Sequence, residues 1–190
     1  MNRFDMTGLS ESLGLQERLY LTREIGERAY SILKQHLQDL PNGAGVVLIF
    51  PEGQLVDASF ADETIIRLGE ELMDGQLGDR AFLLQGLTDD SIKNIEAVIG
   101  LRRLKLGFLA VEATGEWRCI GQLDPSLREV LDLLANLDQL TAPQLADLMK
   151  LAVNTASNRL KRLYDRRLVQ REYEVSAKGL QYFYYFWQWT

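Results

Sequence analysis

Residues 154 to 171 contain several side chains of the types that can hydrogen-bond DNA bases. Asn hydrogen-bonds adenine and Arg hydrogen-bonds guanine through two atoms each, and both occur here beside Thr and Ser. The segment carries six cations and one anion, and such local charge supplies salt-dependent affinity for phosphates. The sequence predicts base contacts from Thr155, Asn158 and Arg159, and phosphate contacts from Ser157, Lys161, Arg162 and Arg171.

A helix over about 155–166 is needed to present these side chains, and the apolar spacing predicts one. Ala156, Leu160 and Leu163 step by four and by three, which places them on one buried face. Asn154 is a favoured N-cap residue for this helix, and it joins the predicted DNA-binding set. The alternative is a solvated basic helix in a protein-interaction module.

A second helix is predicted just ahead of the first, from Thr141 to about Leu151. Thr141 is a good N-cap, and Gln144 stands at the capping-box position three residues later. The side chains predicted to be buried in this helix are Leu145, Leu148 and Met149. Together with a further helix over 125–137, these elements predict a helix-turn-helix.

The chain after the basic segment predicts a strand ending at Arg171. Seven of the eight residues from Tyr182 to Trp189 are aromatic. We expect a C-terminal helix here that packs on its own domain or joins two copies of the chain.

Residues 1–121 have a different composition from the rest of the chain. They carry 12 Lys and Arg against 19 Asp and Glu, whereas residues 122–190 carry 9 against 8. Helices are expected at 15–38, 60–73 and 89–102, and strands at 44–50, 80–86, 106–112 and 116–120. Alternating helices and strands predict an α/β sandwich, with domains at 1–121 and 122–190.

Ser59 lies at a predicted loop-to-helix junction, within the string VDASFADE. One interpretation is that Ser59 is only an N-cap, which stabilises a helix by about 1 kcal/mol. The other is a regulated serine, because the dipole and free N–H groups of a helix N-terminus favour phosphate. Asp57, Asp62 and Glu63 would repel that phosphate.

The remaining residues with catalytic or metal-binding chemistry are sparse. The chain has one His, His36, and one Cys, Cys119, and they lie far apart in sequence. No Gly-rich phosphate-binding pattern is present in the sequence. We therefore expect no enzyme activity, no cofactor and no metal site.

The first region resembles a STAS-like family of unknown function that carries a Ser-Phe-Ala-Asp-Glu motif. Residues 59–63 match that motif fully, and residues 21–26, LTREIG, resemble the family's upstream helix. Arg102 or Arg103 stands where the family tends to have an Arg. The resemblance implies a STAS-like sandwich, and it places Ser59 where related antagonist domains are phosphorylated.

The second region resembles a MarR-type winged helix. Residues 154–160, NTASNRL, are similar to that family's recognition helix, and residues 168–171, LVQR, are similar to the approach to its wing. Residues 176–179, SAKG, resemble the turn that follows the wing. Only four residues lie between these two segments, so the wing hairpin is expected to be very short or missing. The resemblance implies a mainly α winged helix-turn-helix domain that binds double-stranded DNA, commonly as a homodimer.

These observations together predict a cytoplasmic DNA-binding transcriptional regulator with a STAS-like sensing or protein-interaction domain. The alternative is an adaptor in a partner-switching pathway of kinases and anti-sigma factors, with no DNA binding. The most apolar runs of the sequence are too short to span a bilayer, so no membrane association is expected. A possible protein partner would bind the STAS-like domain.

Overall fold

The computed structural model describes residues 1–12, 20–176 and 179–189. The chain divides into two compact units, Met1–Gln122 together with Trp189, and Leu123–Gln188. Trp189, which the sequence analysis assigned to the second domain, therefore belongs to the first unit. Its indole N–H donates to the carbonyl of Glu112, 3.1 Å away. The two units are described separately below.

A five-stranded sheet forms the centre of the first unit. Its strands are β1 (Asn2–Asp5), β2 (Gly45–Ile49), β3 (Ala81–Gln85), β4 (Gly107–Val111) and β5 (Trp117–Gly121), and they lie side by side in chain order. The first four are parallel, and β5 returns antiparallel to β4. The predicted mixed α/β fold is confirmed.

Strand β1 is the one strand of this sheet that the sequence analysis missed. Its residues, NRFD, are mostly polar and mostly exposed, so they show no apolar run. The strand lies at the sheet edge and pairs with β2 from Asn2–Val46 to Asp5–Ile49. Its structure therefore comes from backbone hydrogen bonds to a neighbour 44 residues away in sequence, which no local pattern reveals.

The helices of the first unit are α1 (Met6–Ser12), α2 (Arg23–Asp39), α3 (Ala58–Ala61), α4 (Arg67–Met73) and α5 (Asp89–Leu101). A π-helical turn, Asp62–Ile66, joins α3 to α4 without a break. The predicted first helix began at residue 15. Residues 15–19 of that prediction lie outside the described residues, and Tyr20 pairs with Val56 in an isolated bridge instead.

The core of the first unit lies between the sheet and its helices. Parallel strands in chain order, joined by right-handed crossovers, carry their connecting helices on the same face. Val46, Leu48 and Leu84 on that face belong to one buried cluster with Leu33 and Ile65 of the helices. The opposite face of the central strands is also buried, through Val47, Leu83 and Leu109. Strand β2 is therefore buried on both faces.

The second unit contains three helices followed by a hairpin. The elements are α6 (Pro125–Ala135), α7 (Ala142–Met149), α8 (Val153–Asp165), β6 (Gln170–Ser176) and β7 (Gly179–Tyr185). The predicted capping box of α7 is confirmed. The Thr141 side chain accepts from the backbone N–H of Gln144, and the backbone N–H of Thr141 donates to the side-chain oxygen of Gln144. A bridge between Leu140 and Tyr184, closed by two 2.9 Å hydrogen bonds, ties the segment before α7 to β7.

The prediction of a very short or missing wing is wrong, and so is the prediction of a C-terminal helix. Strands β6 and β7 pair from Gln170–Tyr185 to Ser176–Gly179, so seven residues of each strand form the hairpin. Residues 177–178 lie outside the described residues. The aromatic run fits a strand because aromatic side chains suit a pleated surface. Tyr182 and Tyr184 lie on the same face of β7, and Tyr184 is buried whereas Tyr182 is 37% exposed.

Two expectations for the helix-turn-helix are also corrected. Leu148 was predicted to be buried but is 58% exposed, and Met149 is half-buried. Asn154 was predicted to cap α8, but Ala152 is the residue before that helix and Asn154 lies in its first turn. Helix α8 begins at Val153, two residues earlier than predicted, and α7 ends at Met149, where the next residue, Lys150, adopts a left-handed conformation, φ 53°.

Candidate nucleic-acid interface and the charged motif

Helix α8 has a buried face and a polar face. Ala156, Leu160 and Leu163 are fully buried, as their spacing predicted. On the other side, six side chains from the predicted DNA-binding set are exposed: Asn154, Thr155, Ser157, Asn158, Lys161 and Arg162. The burial of the apolar stripe therefore fixes which polar groups of α8 point to solvent.

Two cations of α8 have carboxylate partners within the second unit. Arg162 forms an ion pair with Asp124, the residue just before α6. Lys161 contacts Asp165, four residues further along α8, at 2.6 Å. Both pairs are partly solvent-exposed, and exposed pairs contribute only about 0–1 kcal/mol each. These cations can thus exchange a carboxylate for a phosphate at low cost.

Arg159 differs from the other predicted DNA-binding residues in α8. It is half-buried, and its guanidinium lies against helix α7, where Nη1 is 3.9 Å from the sulfur of Met149. A thioether is a weak acceptor, so this contact is mainly packing. Arg159, which was predicted to contact guanine, therefore packs against α7 of its own unit.

Arg171 lies at the base of the hairpin, between aromatic rings. Its guanidinium carbon is 3.8 Å from the ring centre of Tyr164 and 4.5 Å from that of Tyr182. Cation–π contacts of this kind are worth about 0.5–2 kcal/mol each. Arg171 is thus engaged in holding β6 and β7 to α8, a role that the sequence analysis did not foresee.

The two faces of the hairpin differ in chemistry. Glu172 and Glu174 point to one side and are exposed. On the other side, Tyr173 opposes Tyr182 and Val175 opposes Leu180, and Val175 is 76% exposed. Within its described residues, 170–176 and 179–185, the hairpin therefore has two exposed glutamates on one side and exposed apolar residues on the other.

A cleft of about 270 Å³ lies between the start of α7, helix α8 and strand β7. Pro143, Ser157 and Tyr182 are among its lining residues. Ser157 is thus the one member of the predicted DNA-binding set that lines this cleft. The concavity follows one flank of the exposed face of α8.

The first unit brings its predicted motif residues together. Asp57, and not Ser59, is the N-cap of α3: its carboxylate accepts from the N–H of Phe60 at 2.7 Å and from the N–H of Thr22 at 3.3 Å. Asp57 precedes the helix in extended conformation, whereas Ser59 lies inside it. The N-cap prediction for Ser59 is therefore wrong. Ser59 is exposed.

Asp62 and Glu63 anchor arginines from two other segments. Arg102, at the end of α5, donates to Asp62 at 2.6 Å and to both oxygens of Glu70 at 3.0 Å. Arg23, at the start of α2, pairs with Glu63 and lies 3.7 Å from Asp62. Partial burial lowers the pKa of Arg102, but the bond to Asp62 and the charge of Glu70 outweigh it and raise the pKa overall.

Close helix packing explains the Gly of the upstream motif. A Cβ at Gly26 would lie 3.0 Å from the Cβ of Glu63 and 3.1 Å from the carbonyl of Phe60. The buried hydroxyl of Thr64 donates to the carbonyl of Gly26 at 2.8 Å. The π turn and the left-handed Thr22, φ 76°, fall at the same place. Such irregularities concentrate at functional sites, and sequence periodicity did not show them.

A second polar cluster, missed from the sequence, joins α2 to α4. The Glu71 carboxylate accepts from the Tyr30 hydroxyl, and from the Lys34 ammonium at 2.9 Å. Burial raises the pKa of Glu71, but these two hydrogen bonds outweigh it and lower the pKa overall. Tyr30 and Lys34 stand four residues apart on α2, a spacing that faces one side and that could have suggested the cluster.

No protein-family model matches this chain, and no curated protein matches it in sequence. Among the residues that the structure describes, no helix is both long enough and apolar enough to cross a membrane.

Proposed function

We propose that this chain is a DNA-binding transcription regulator. In this proposal the second unit is a winged helix-turn-helix, and the first unit is a STAS-like domain that senses a signal or binds a protein. Helix α8 enters the major groove of double-stranded DNA, and its N-terminal half contacts the bases.

One observation carries the proposal: α8 has a fully buried apolar stripe directly behind an exposed polar face. Thr155 and Asn158 on that face have the hydrogen-bonding groups that contact base edges and phosphates. The short connection from α7 and the hairpin after α8 are consistent with a winged helix, because they leave the start of α8 at the surface. The protein as a whole carries a net charge of −6 and therefore repels DNA. The polar and cationic face of α8 is for this reason the surface proposed to bind it.

The hairpin is assigned a supporting role rather than a grip on the minor groove. Glu172 and Glu174 would repel phosphates, and Arg171 is held by Tyr164 and Tyr182. Phosphate contacts then come from Ser157, Lys161 and Arg162. Since few contacts remain for each copy, we include a homodimer in the proposal, which sedimentation of the purified chain measures directly.

The first unit is proposed to control the second through the surface around the Ser-Phe-Ala-Asp-Glu motif. Ser59 is exposed there and is therefore accessible to phosphorylation. It does not cap the helix, because Asp57 is the N-cap. Ser59→Asp is expected to change DNA or partner binding, and Ser59→Ala is expected to change little. Equal, small effects of the two variants in the same binding assay would rule out a switch at this residue.

Binding to duplex DNA tests the main proposal, with a matched pair of arginine variants. Genomic fragments retained by the purified chain supply a probe, and fluorescence anisotropy then measures affinity against salt. Arg162 and Arg118 are both 49% exposed and both pair with an aspartate, but only Arg162 lies on α8. Arg162→Gln should reduce the salt slope by about 0.9, while Arg118→Gln should not change it. Absence of duplex binding at low salt would refute the proposal.

An adaptor without DNA binding is the second candidate, and the hairpin favours it. Tyr173 is 67% exposed and Leu180 is 55% exposed on the same apolar face, and such faces occur at protein interfaces. Recovery of a kinase or anti-sigma factor with the chain, together with absent DNA binding, would support this candidate.

A further inference from the structure

Along the exposed face of α8, the neutral side chains come first and the charged ones follow. Asn154, Thr155 and Asn158 lie in the first two turns and are exposed. Lys161 and Arg162 follow in the later turns, each beside a carboxylate. Because the N-terminal residues of a recognition helix contact the base edges, the bases meet the neutral part of this face.

Asn154 and Asn158 are both exposed on α8. They are four residues apart, so they lie on the same side of the helix, opposite the buried stripe formed by Ala156, Leu160 and Leu163. A rise of about 1.5 Å per residue separates them by about 6 Å along the axis. This distance is close to two base-pair steps of about 3.4 Å.

Arg159 is withdrawn from this set by its surroundings. It is half-buried and packs its guanidinium against Met149 of α7, at the flank of the exposed face. The residue type that reads guanine is thus turned toward the protein, while two residues of the type that reads adenine face outward.

We propose that the DNA site of this chain is read mainly through adenine and thymine. Asn154 and Asn158 each hold one adenine through its N6 and N7 atoms, and the two adenines lie within three consecutive base pairs. Thr155 contacts a thymine methyl group, as Thr methyls do in the major groove. This inference rests on the proposed function, and it names the class of sequence that the interface takes.

Selection from a pool of random duplexes by the full-length chain tests the inference. The enriched motif should contain two A·T pairs within three consecutive base pairs. Asn158→Ala should abolish the preference at one of them, with about tenfold lower affinity for the best site. Arg159→Met, which keeps the packing against Met149, should leave the motif unchanged. In the best site, 7-deazaadenine should weaken binding because it lacks N7, and 7-deazaguanine should not.

The outcomes separate this inference from the function on which it rests. A motif centred on guanine that disappears in Arg159→Met would overturn the inference and leave DNA binding intact. Duplex binding with no base preference would also overturn it. Retention of no duplexes at low salt would instead refute the proposed function. Because Asn158 is exposed, thermal unfolding of Asn158→Ala should match that of the parent chain, which excludes misfolding as the cause.

Discussion

The ion pair between Asp124 and Arg162 allows a quantitative test of how this interface engages phosphates. The two side chains are 52% and 49% exposed, so the pair stabilises the chain by about 0–1 kcal/mol. In the proposed complex, Arg162 contacts a phosphate in place of Asp124, so the stabilisation that the ion pair provides is lost on binding. Asp124→Asn removes the competition and should tighten duplex binding by up to about 1 kcal/mol, or about fivefold.

A double-mutant cycle distinguishes this competition from a general charge effect. Asp124 makes no side-chain cap bond to α6, and Asn is an equally good cap residue, so the fold should be unchanged. Asp132→Asn, on the exposed side of the same helix, removes the same charge without touching Arg162. Anisotropy titrations at one salt concentration give the four affinities of the cycle.

The cycle has one expected pattern. Asp124→Asn should tighten binding in the parent chain, and it should have almost no effect in Arg162→Gln, because no guanidinium is left to release. Asp132→Asn should have a smaller effect, the same in both backgrounds. An equal gain from Asp124→Asn with and without Arg162 would refute competition, since independent effects add.

Three further predictions concern the first unit. Asp57→Ala should lower the free energy of unfolding by about 1 kcal/mol through the lost cap, whereas Ser59→Ala should change it by less than about 0.5 kcal/mol; the reverse order in urea unfolding would restore Ser59 as the cap. Gly26→Ala should destabilise by about 1–3 kcal/mol through overpacking, while Gly100→Ala, with no atom within 4 Å of its added Cβ, should be neutral or stabilising; equal melting temperatures would contradict this. The folded-state pKa of Glu71 lies below its ordinary value of 4.5, so its contribution is present above that pH and is lost as the pH falls below it. The stability gap between the parent chain and Glu71→Gln should accordingly be largest at pH 7 and should narrow as the pH falls below 4.5, and a gap independent of pH would show that the carboxylate charge is not involved.

Local patterns in the sequence predicted most elements of the first unit, because each core strand and helix has its own apolar signature. Strand β3 was expected at 80–86 and is Ala81–Gln85, and α5 was expected at 89–102 and is Asp89–Leu101. Strand β1 lacked such a signature, because its edge position leaves most of its side chains in solvent. The π turn was likewise invisible, since one extra residue per turn does not change the residue types that are buried.

The hairpin shows where pattern reading failed in the second unit. The resemblance to a winged helix placed a turn at 176–179, and the aromatic run beyond it, which has no clear period of two, was expected to form a helix. Pairing with β6 and the bridge from Leu140 to Tyr184 made this run a strand. The hairpin pairs are up to 15 residues apart in sequence and the bridge joins residues 44 apart, and the hydrogen bonds of these pairings outweigh any local preference.

The sequence by itself determined which residues of α8 are buried and which are exposed, because a helix with apolar residues at steps of three and four has only one way to bury them. It also determined that Asp62 and Glu63 stand together on a helix. Only the tertiary structure decided what the charged side chains meet. Arg162 forms an ion pair with Asp124, Arg102 forms one with Asp62, and Arg159 packs on Met149. Long side chains reach partners on other elements, and the position of those elements is set by the packing of the whole unit.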